Sequence, residues 1–270
     1  MAGAGMSAPI IVRPRRGGVR SFVPDTLLLT RRHLLRTIRT PQIVVLSAIT
    51  PVMFVLLFRY VFGGAIHVPG YASYVDYLIP GVVVQTALFG GSSSAVGVAD
   101  ELSAGTTDRF RSLPTNRAAI LASRTLADLV RLAYTMVLVI AVGVLVGFRF
   151  HAGVVSALVA IGVALLFGYA CSWLFSLLGL VVRNVEGATL AGFMTTFPLV
   201  FASSAFTATV TMPDWLRAFA DAQPVTHVAN ALRALEHGTT SWEAVRYALI
   251  WSVGILFVPA ALATRRFQKG

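Results

Sequence analysis

The sequence predicts an all-α, polytopic membrane protein with six transmembrane helices. Three observations carry that expectation. Of 270 residues, 56% are hydrophobic and only 12% charged, about half the charge of a soluble domain. Mean hydropathy is +0.77. Several apolar runs reach the roughly 20 residues that cross a bilayer as a helix, and none alternates as a membrane β-strand does.

Taken in order, residues 1–24 are rich in Gly, Pro and Arg and read as a flexible basic tail. Residues 25–40 place Leu27, Leu34, Leu35 and Ile38 on one helical face and Arg32, Arg36 and Arg39 on another. Such a helix lies in the membrane interface, leucines down and arginines toward phosphates. Pro41 argues against a straight continuation into the first span, because the residue before proline avoids the α region. The spans follow at about 42–62, 77–99, 126–148, 154–182, 188–210 and 244–263. Pro51 predicts a kink in the first. Gly90, Gly91, Ser92, Ser93 and Ser94 in the second are small enough for close helix approach, and are assigned to packing, in part against a second copy. One permease domain thus covers 25–265, with a short tail at 266–270. Between spans five and six, 211–243 carries two short helices, one with Trp215, Leu216, Phe219 and Ala220 on its apolar face, the other over 226–235.

The net charge of +11 comes from 21 Arg and the single Lys269 against 11 acids. With the N-terminus inside, seventeen basic residues fall on the cytoplasmic side and five outside. Both termini are therefore expected in the cytoplasm of a multi-pass cell-membrane protein. The same bias accounts for the high pI without nucleic acid, since no soluble basic fold remains to bind it. Cys171 lies alone in an apolar run and reads as packing. No Cys/His spacing suggests a metal.

The chemistry that is missing narrows the function. A phosphate-binding loop needs GxxxxGK[ST], and the only lysine is next to the C-terminus. The chain is not itself a nucleotide-driven pump, and no cofactor is expected on it. Ion-coupled transporters place acids or bases deep in their spans, whereas Asp128, Arg131 and Glu186 fall near span ends. No HExxH or GxSxG supports an enzyme.

The positive signal is the polar stretch 100–125, which leads into the third span and carries mixed charge. Within it, Phe110 sits between Arg109 and Arg111, and Leu113 follows them directly ahead of Pro114, a pattern suited to a socket on a partner. A helix then starts near Thr115, a possible N-cap, and runs through Arg124 and Asp128. The segment 108–131 resembles the loop of ATP-binding-cassette (ABC) exporter permeases of the second type, specifically the daunorubicin-resistance permease group of actinobacteria. VGFRFHAG (146–153), MPDWLRAF (212–219) and QPVTHVANALRAL (223–235) resemble further stretches of that group, and the likeness covers about 25–265. Ser123 departs from the group, which commonly has a Gly-Arg or Gly-Lys pair there.

The resemblance implies a six-span permease that works as a dimer, with a second copy or a paralogue. It implies a separately encoded ATPase subunit that carries ATP and Mg. Carried over, Gly105, Asp108, Arg109, Phe110, Arg111, Ser112, Leu113 and Pro114 form the ATPase-coupling loop. The cargo implied is small and hydrophobic, or a lipid or glycolipid, and is exported out of the cytoplasm or inner leaflet; its binding residues are not assigned. The alternative is a membrane scaffold or channel subunit without ATP-driven transport, which would not need such a loop.

Overall fold

The computed structural model describes residues 19–66, 68, 70–71, 73–104, 117–238 and 242–269. Among these, regular structure is helical and no strand occurs. Helix α1 spans Val19–Ile38. It therefore includes residues 19–24 of the stretch expected to be a flexible tail. Pro24 lies inside the helix and, lacking an N–H, leaves the Arg20 carbonyl without its helical donor. The helix stops where proline requires. Thr40, directly before Pro41, has φ −119° and ψ 74°, outside the α region. Helix α2 (Pro41–Leu57) then starts with proline in its first turn, where a missing N–H costs nothing. It runs on as a π-helical turn, Phe58–Phe62.

Helix α3 covers Tyr74–Ser103, capped by Ser73, whose hydroxyl accepts from the Val75 N–H at 3.3 Å. Helix α4 covers Arg117–Leu145, α5 Gly153–Val182 and α6 Val185–Phe201. The turn between α5 and α6 uses Arg183 at φ 63° and Asn184, whose Oδ1 accepts from the Gly187 N–H at 2.6 Å. Helices α7 (Asp214–Ala222) and α8 (Pro224–His237) are short, and α9 (Trp242–Lys269) closes the chain. Among the described residues, five helices are long and apolar enough to cross a membrane, and α6 is a shorter apolar helix. The chain is thus a polytopic all-α membrane protein.

The stretch 100–125 differs from a long loop. Helix α3 runs on through Ser103, and α4 is already formed at Arg117, so both ends of the stretch are helical.

Helix α3 is the most buried span and packs against α2, α4, α5, α6 and α8. Close approach sets its neighbours. A Cβ on Gly179 of α5 would overlap the Ala95 carbonyl of α3, and one on Gly91 would stand 2.7 Å from the Cβ of Cys171. Part of the Gly90–Ser94 stretch expected to meet a second copy is therefore spent inside this chain. Ser94 is fully buried and Gly91 is also buried, because their small side chains let α3 settle between α4 and α5. A second apolar cluster joins Leu29 of α1, Val98 of α3, Ile120 and Leu121 of α4, Trp173 of α5 and Phe267 of α9.

The predicted fifth span, 188–210, is shorter than expected. Pro198 lies in its last turn, α6 ends at Phe201, and the chain is non-helical until Thr209. Non-helical backbone among apolar helices must find its hydrogen bonds within the protein. Arg233 of α8, only 3% exposed, supplies them. Its Nη2 donates to the carbonyls of Ser204 at 2.8 Å, Ala205 at 3.0 Å and Tyr77 at 3.0 Å. Its Nη1 donates to Ser204 Oγ and Asn230 Oδ1. The Tyr77 and Tyr74 hydroxyls donate to the carbonyls of Ser204 and Phe206 at 2.7 and 3.0 Å.

Candidate functional site

The residues assigned to ATPase coupling, Gly105 and Asp108 through Pro114, lie outside the described residues. What the structure describes is the frame that holds their ends. Arg124 of α4 pairs with Glu101 of α3 through Nη1 and Oε1. The guanidinium lies over Gly97, where a Cβ would collide with it. The pair is mostly buried, with side-chain exposures of 17% and 20%. On the other flank, Thr30 Oγ1 of α1 donates to the carbonyls of Thr26 at 2.7 Å and Ser123 at 3.2 Å. Ser123, the departure from the resembled group, is buried and donates to the Ile120 carbonyl at 2.7 Å. The two helices that lead into and out of the connection are therefore tied to each other and to α1.

Helix α1 turns Leu29, Thr26 and Thr30 inward and leaves Leu27, Leu28, Leu35 and Ile38 exposed. Leu34, expected with the exposed leucines, is half-buried. Arg32 and Arg39 are exposed and line, with Arg31 and Leu28, an open groove of about 560 Å³. The Arg36 side chain lies outside the described residues.

Deeper along the spans is an arrangement that the sequence alone did not reveal. Asp128 and Arg131 of α4 pair at 3.1 Å. Both are also tied to α3. Ser94 Oγ donates to Asp128 Oδ2 at 2.6 Å, and Arg131 Nη2 contacts Ser93 Oγ and the Gly90 carbonyl. The serines read as plain packing residues are therefore the hydrogen-bonding partners of an ion pair. An i, i+3 acid–base pair beside an apolar run was the available signal; its facing serines needed the tertiary structure. Above the pair, α2, α3 and α4 enclose a cavity of about 200 Å³ lined by Thr50, Pro51, Gln85, Phe89, Leu132 and Thr135, among others.

At the other end of α3, the Arg233 clamp adjoins a second polar group. Arg233 lies 3.5 Å from the Tyr77 ring centroid. Tyr71 packs edge-on against Tyr77 and His237, and His237 stacks on His151. Glu236 is 1% exposed, and neither of its carboxyl oxygens has a hydrogen-bond partner. Burial, reinforced by Asp76 and opposed by Arg233, pushes its carboxyl up to about 9. It stands neutral at ordinary pH. Among the described residues, no group of three or more His, Cys, Asp or Glu could hold a metal.

With this geometry in view, the comparisons decide the family. The profile described as ABC-2 type transporter matches residues 24–237. The chain belongs to the ABC-2 type transporter family. Its span includes α1, the framed connection and the clamp of α8. The chain is 32% identical over 257 residues to the daunorubicin resistance ABC transporter permease protein DrrB1 of Streptomyces coeruleorubidus, covering 95% of this chain and 89% of that one. It is 29% identical over 265 residues to the probable doxorubicin resistance ABC transporter permease protein DrrC of Mycobacterium tuberculosis, covering 96% and 95%. It is 28% identical over 255 residues to the DrrB permease of the same organism, covering 91% and 85%. An ABC-2 permease is the membrane subunit of a transporter; the ATPase is a partner chain.

Proposed function

We propose that this permease subunit serves an ATP-driven exporter, with both termini in the cytoplasm, and moves a small hydrophobic or amphipathic cargo outward. Two copies, or this chain and a paralogue, flank the pathway. Each binds an ATPase subunit through Gly105 and Asp108 to Pro114. The observation that supports the reading most is the tied frame around that segment. A push on the connection reaches α3 and α4 together through Arg124–Glu101, and reaches α1 through Thr30 and Ser123. Further along α4, the Asp128–Arg131 pair is locked to Ser93 and Ser94, so α3 and α4 tilt as one body. The relatives' drug-resistance names support a hydrophobic drug as cargo; the apolar spans equally suit a lipid.

The test is co-purification. The chain is expressed with its ATPase and carried into detergent, as wild type and with Arg109→Glu and Arg111→Glu together. The reading expects a stable complex that the double reversal dissolves while leaving membrane insertion intact. A neutral linker in place of residues 105–114 that preserved complex and transport would favour the scaffold or channel alternative.

A further inference from the structure

The cavity between α2, α3 and α4 contains polar groups that its own walls leave unused. Gln85 lies near the middle of α3, eleven residues or about 16 Å from its start. It is 3% exposed, and its Oε1 has no hydrogen-bond partner. A buried amide oxygen left without a donor costs on the order of 1–3 kcal/mol. Two polar neighbours donate elsewhere. Thr86 and Thr135 spend their hydroxyl protons on the carbonyls of Val82 and Arg131, at 2.7 and 3.0 Å. They therefore present only oxygen lone pairs to the space. The nearby charges cancel: Arg131 is paired with Asp128, which also accepts from Ser94.

The cavity therefore offers the unpartnered Gln85 oxygen among neutral polar groups, no net charge, and an apolar remainder formed by Pro51, Phe89 and Leu132. Thr50 is exposed on α2 and borders the space, marking its open side. A volume of about 200 Å³ equals that of roughly six waters at about 30 Å³ each, enough for a glycerol-sized head.

We propose that this cavity binds the uncharged, hydrogen-bond-donating head of a single-tailed amphipath, with a hydroxyl or amide N–H on Gln85 and the tail leaving past Thr50 into the bilayer. A cationic head finds no uncompensated carboxylate here, and an anionic head finds no uncompensated cation, because Arg131 is paired with Asp128. A resident lipid and a transported cargo share the required chemistry. Only the naming of the occupant as cargo rests on the exporter reading.

The probe is monoolein carrying a diazirine in its acyl chain close to the head, in phosphatidylcholine nanodiscs with the full chain. Photolabelling should map to peptides from α2 and α3 around Thr50 and Gln85. Gln85→Leu removes the acceptor and should cut labelling about tenfold, equivalent to about 1.4 kcal/mol. Thr50→Trp closes the mouth from an exposed position and should do the same, which decides the matter if Gln85→Leu does not fold. Chain-matched trimethylammonium and phosphate probes should label at least tenfold less than monoolein. Labelling unchanged by both variants, equal for charged heads, or matched by a headless alkane would overturn the site and leave a cavity holding water alone. With the ATPase and ATP, labelling lost on turnover marks cargo, and labelling that persists marks a resident lipid; either supports the site. Failure to form the ATPase complex would strike the exporter reading and leave the labelling result standing.

Discussion

Arg233 gives the most discriminating test of how this fold is held. Its guanidinium serves the Tyr77, Ser204 and Ala205 carbonyls and two side-chain oxygens, Ser204 Oγ and Asn230 Oδ1. Of the three carbonyls, Ser204 keeps the Tyr77 hydroxyl as an alternative donor. Replacing Arg233 with Met should lose roughly four charge-assisted hydrogen bonds, at about 1.5 kcal/mol each. Not burying the charge returns several kcal/mol, so the expected net loss is about 3 kcal/mol. Arg233→Lys should be no better. A lysine keeps the desolvation cost of a buried cation, but its point charge cannot span acceptors arranged for a planar fork. The assay is unfolding of the purified chain in a fixed detergent, with hydrogen exchange read over residues 202–208. Both variants should speed exchange there before elsewhere. A lysine variant within about 1 kcal/mol of wild type, with protection of 202–208 intact, would refute the clamp, because charge alone would then suffice.

Three further outcomes follow from particular contacts. Glu236 has an ordinary value of 4.5 and a folded value of about 9. Its contribution to stability is therefore fully present below about pH 4.5 and is lost as pH rises toward 9, by at most about 1.4 kcal/mol per pH unit. Glu236→Gln should flatten that part of the pH–stability profile, and an unchanged profile would remove the neutral carboxyl from the account. Gly179→Val places branches against the Ala95 carbonyl of α3 and should destabilise by at least about 1–3 kcal/mol, measured as loss of monodisperse protein on size exclusion. Arg124→Glu should weaken ATPase binding in pull-down by breaking the frame, whereas the swap with Glu101→Arg should restore much of it; equal binding by all three forms would uncouple the frame from docking.

The parts of this fold visible in the sequence are those governed by hydropathy and proline. Five full-length apolar helices and a shorter one stand where the apolar runs do, and the break at Thr40 follows from Pro41 alone. The short helix at 214–222 was legible from its apolar face, and the one at 224–237 was expected over 226–235, two residues short at each end. The early end of α6 was not. Ala202 to Ala208 are as apolar or small as any span, and what permits them to leave the helix is Arg233, thirty residues on. The count of basic residues placed that arginine on the outer side of the membrane and said nothing of its burial, whereas the fold buries it. Ser93 and Ser94 were missed for the same reason: a serine's partner lies on another helix, and no spacing within α3 points to Asp128. Residues 19–24 share the Pro and Arg of the stretch before them, yet α1 recruits them.

The most direct test of the central claim is transport itself. The chain and its ATPase are reconstituted into sealed liposomes with the nucleotide-binding face outward, and uptake of a fluorescent hydrophobic drug is followed on adding ATP and Mg. The account predicts uptake that requires hydrolysable ATP and is lost in the Arg109→Glu, Arg111→Glu form, although that form inserts and folds. Drug movement that proceeds equally without ATP, or that survives the double reversal undiminished, would contradict it.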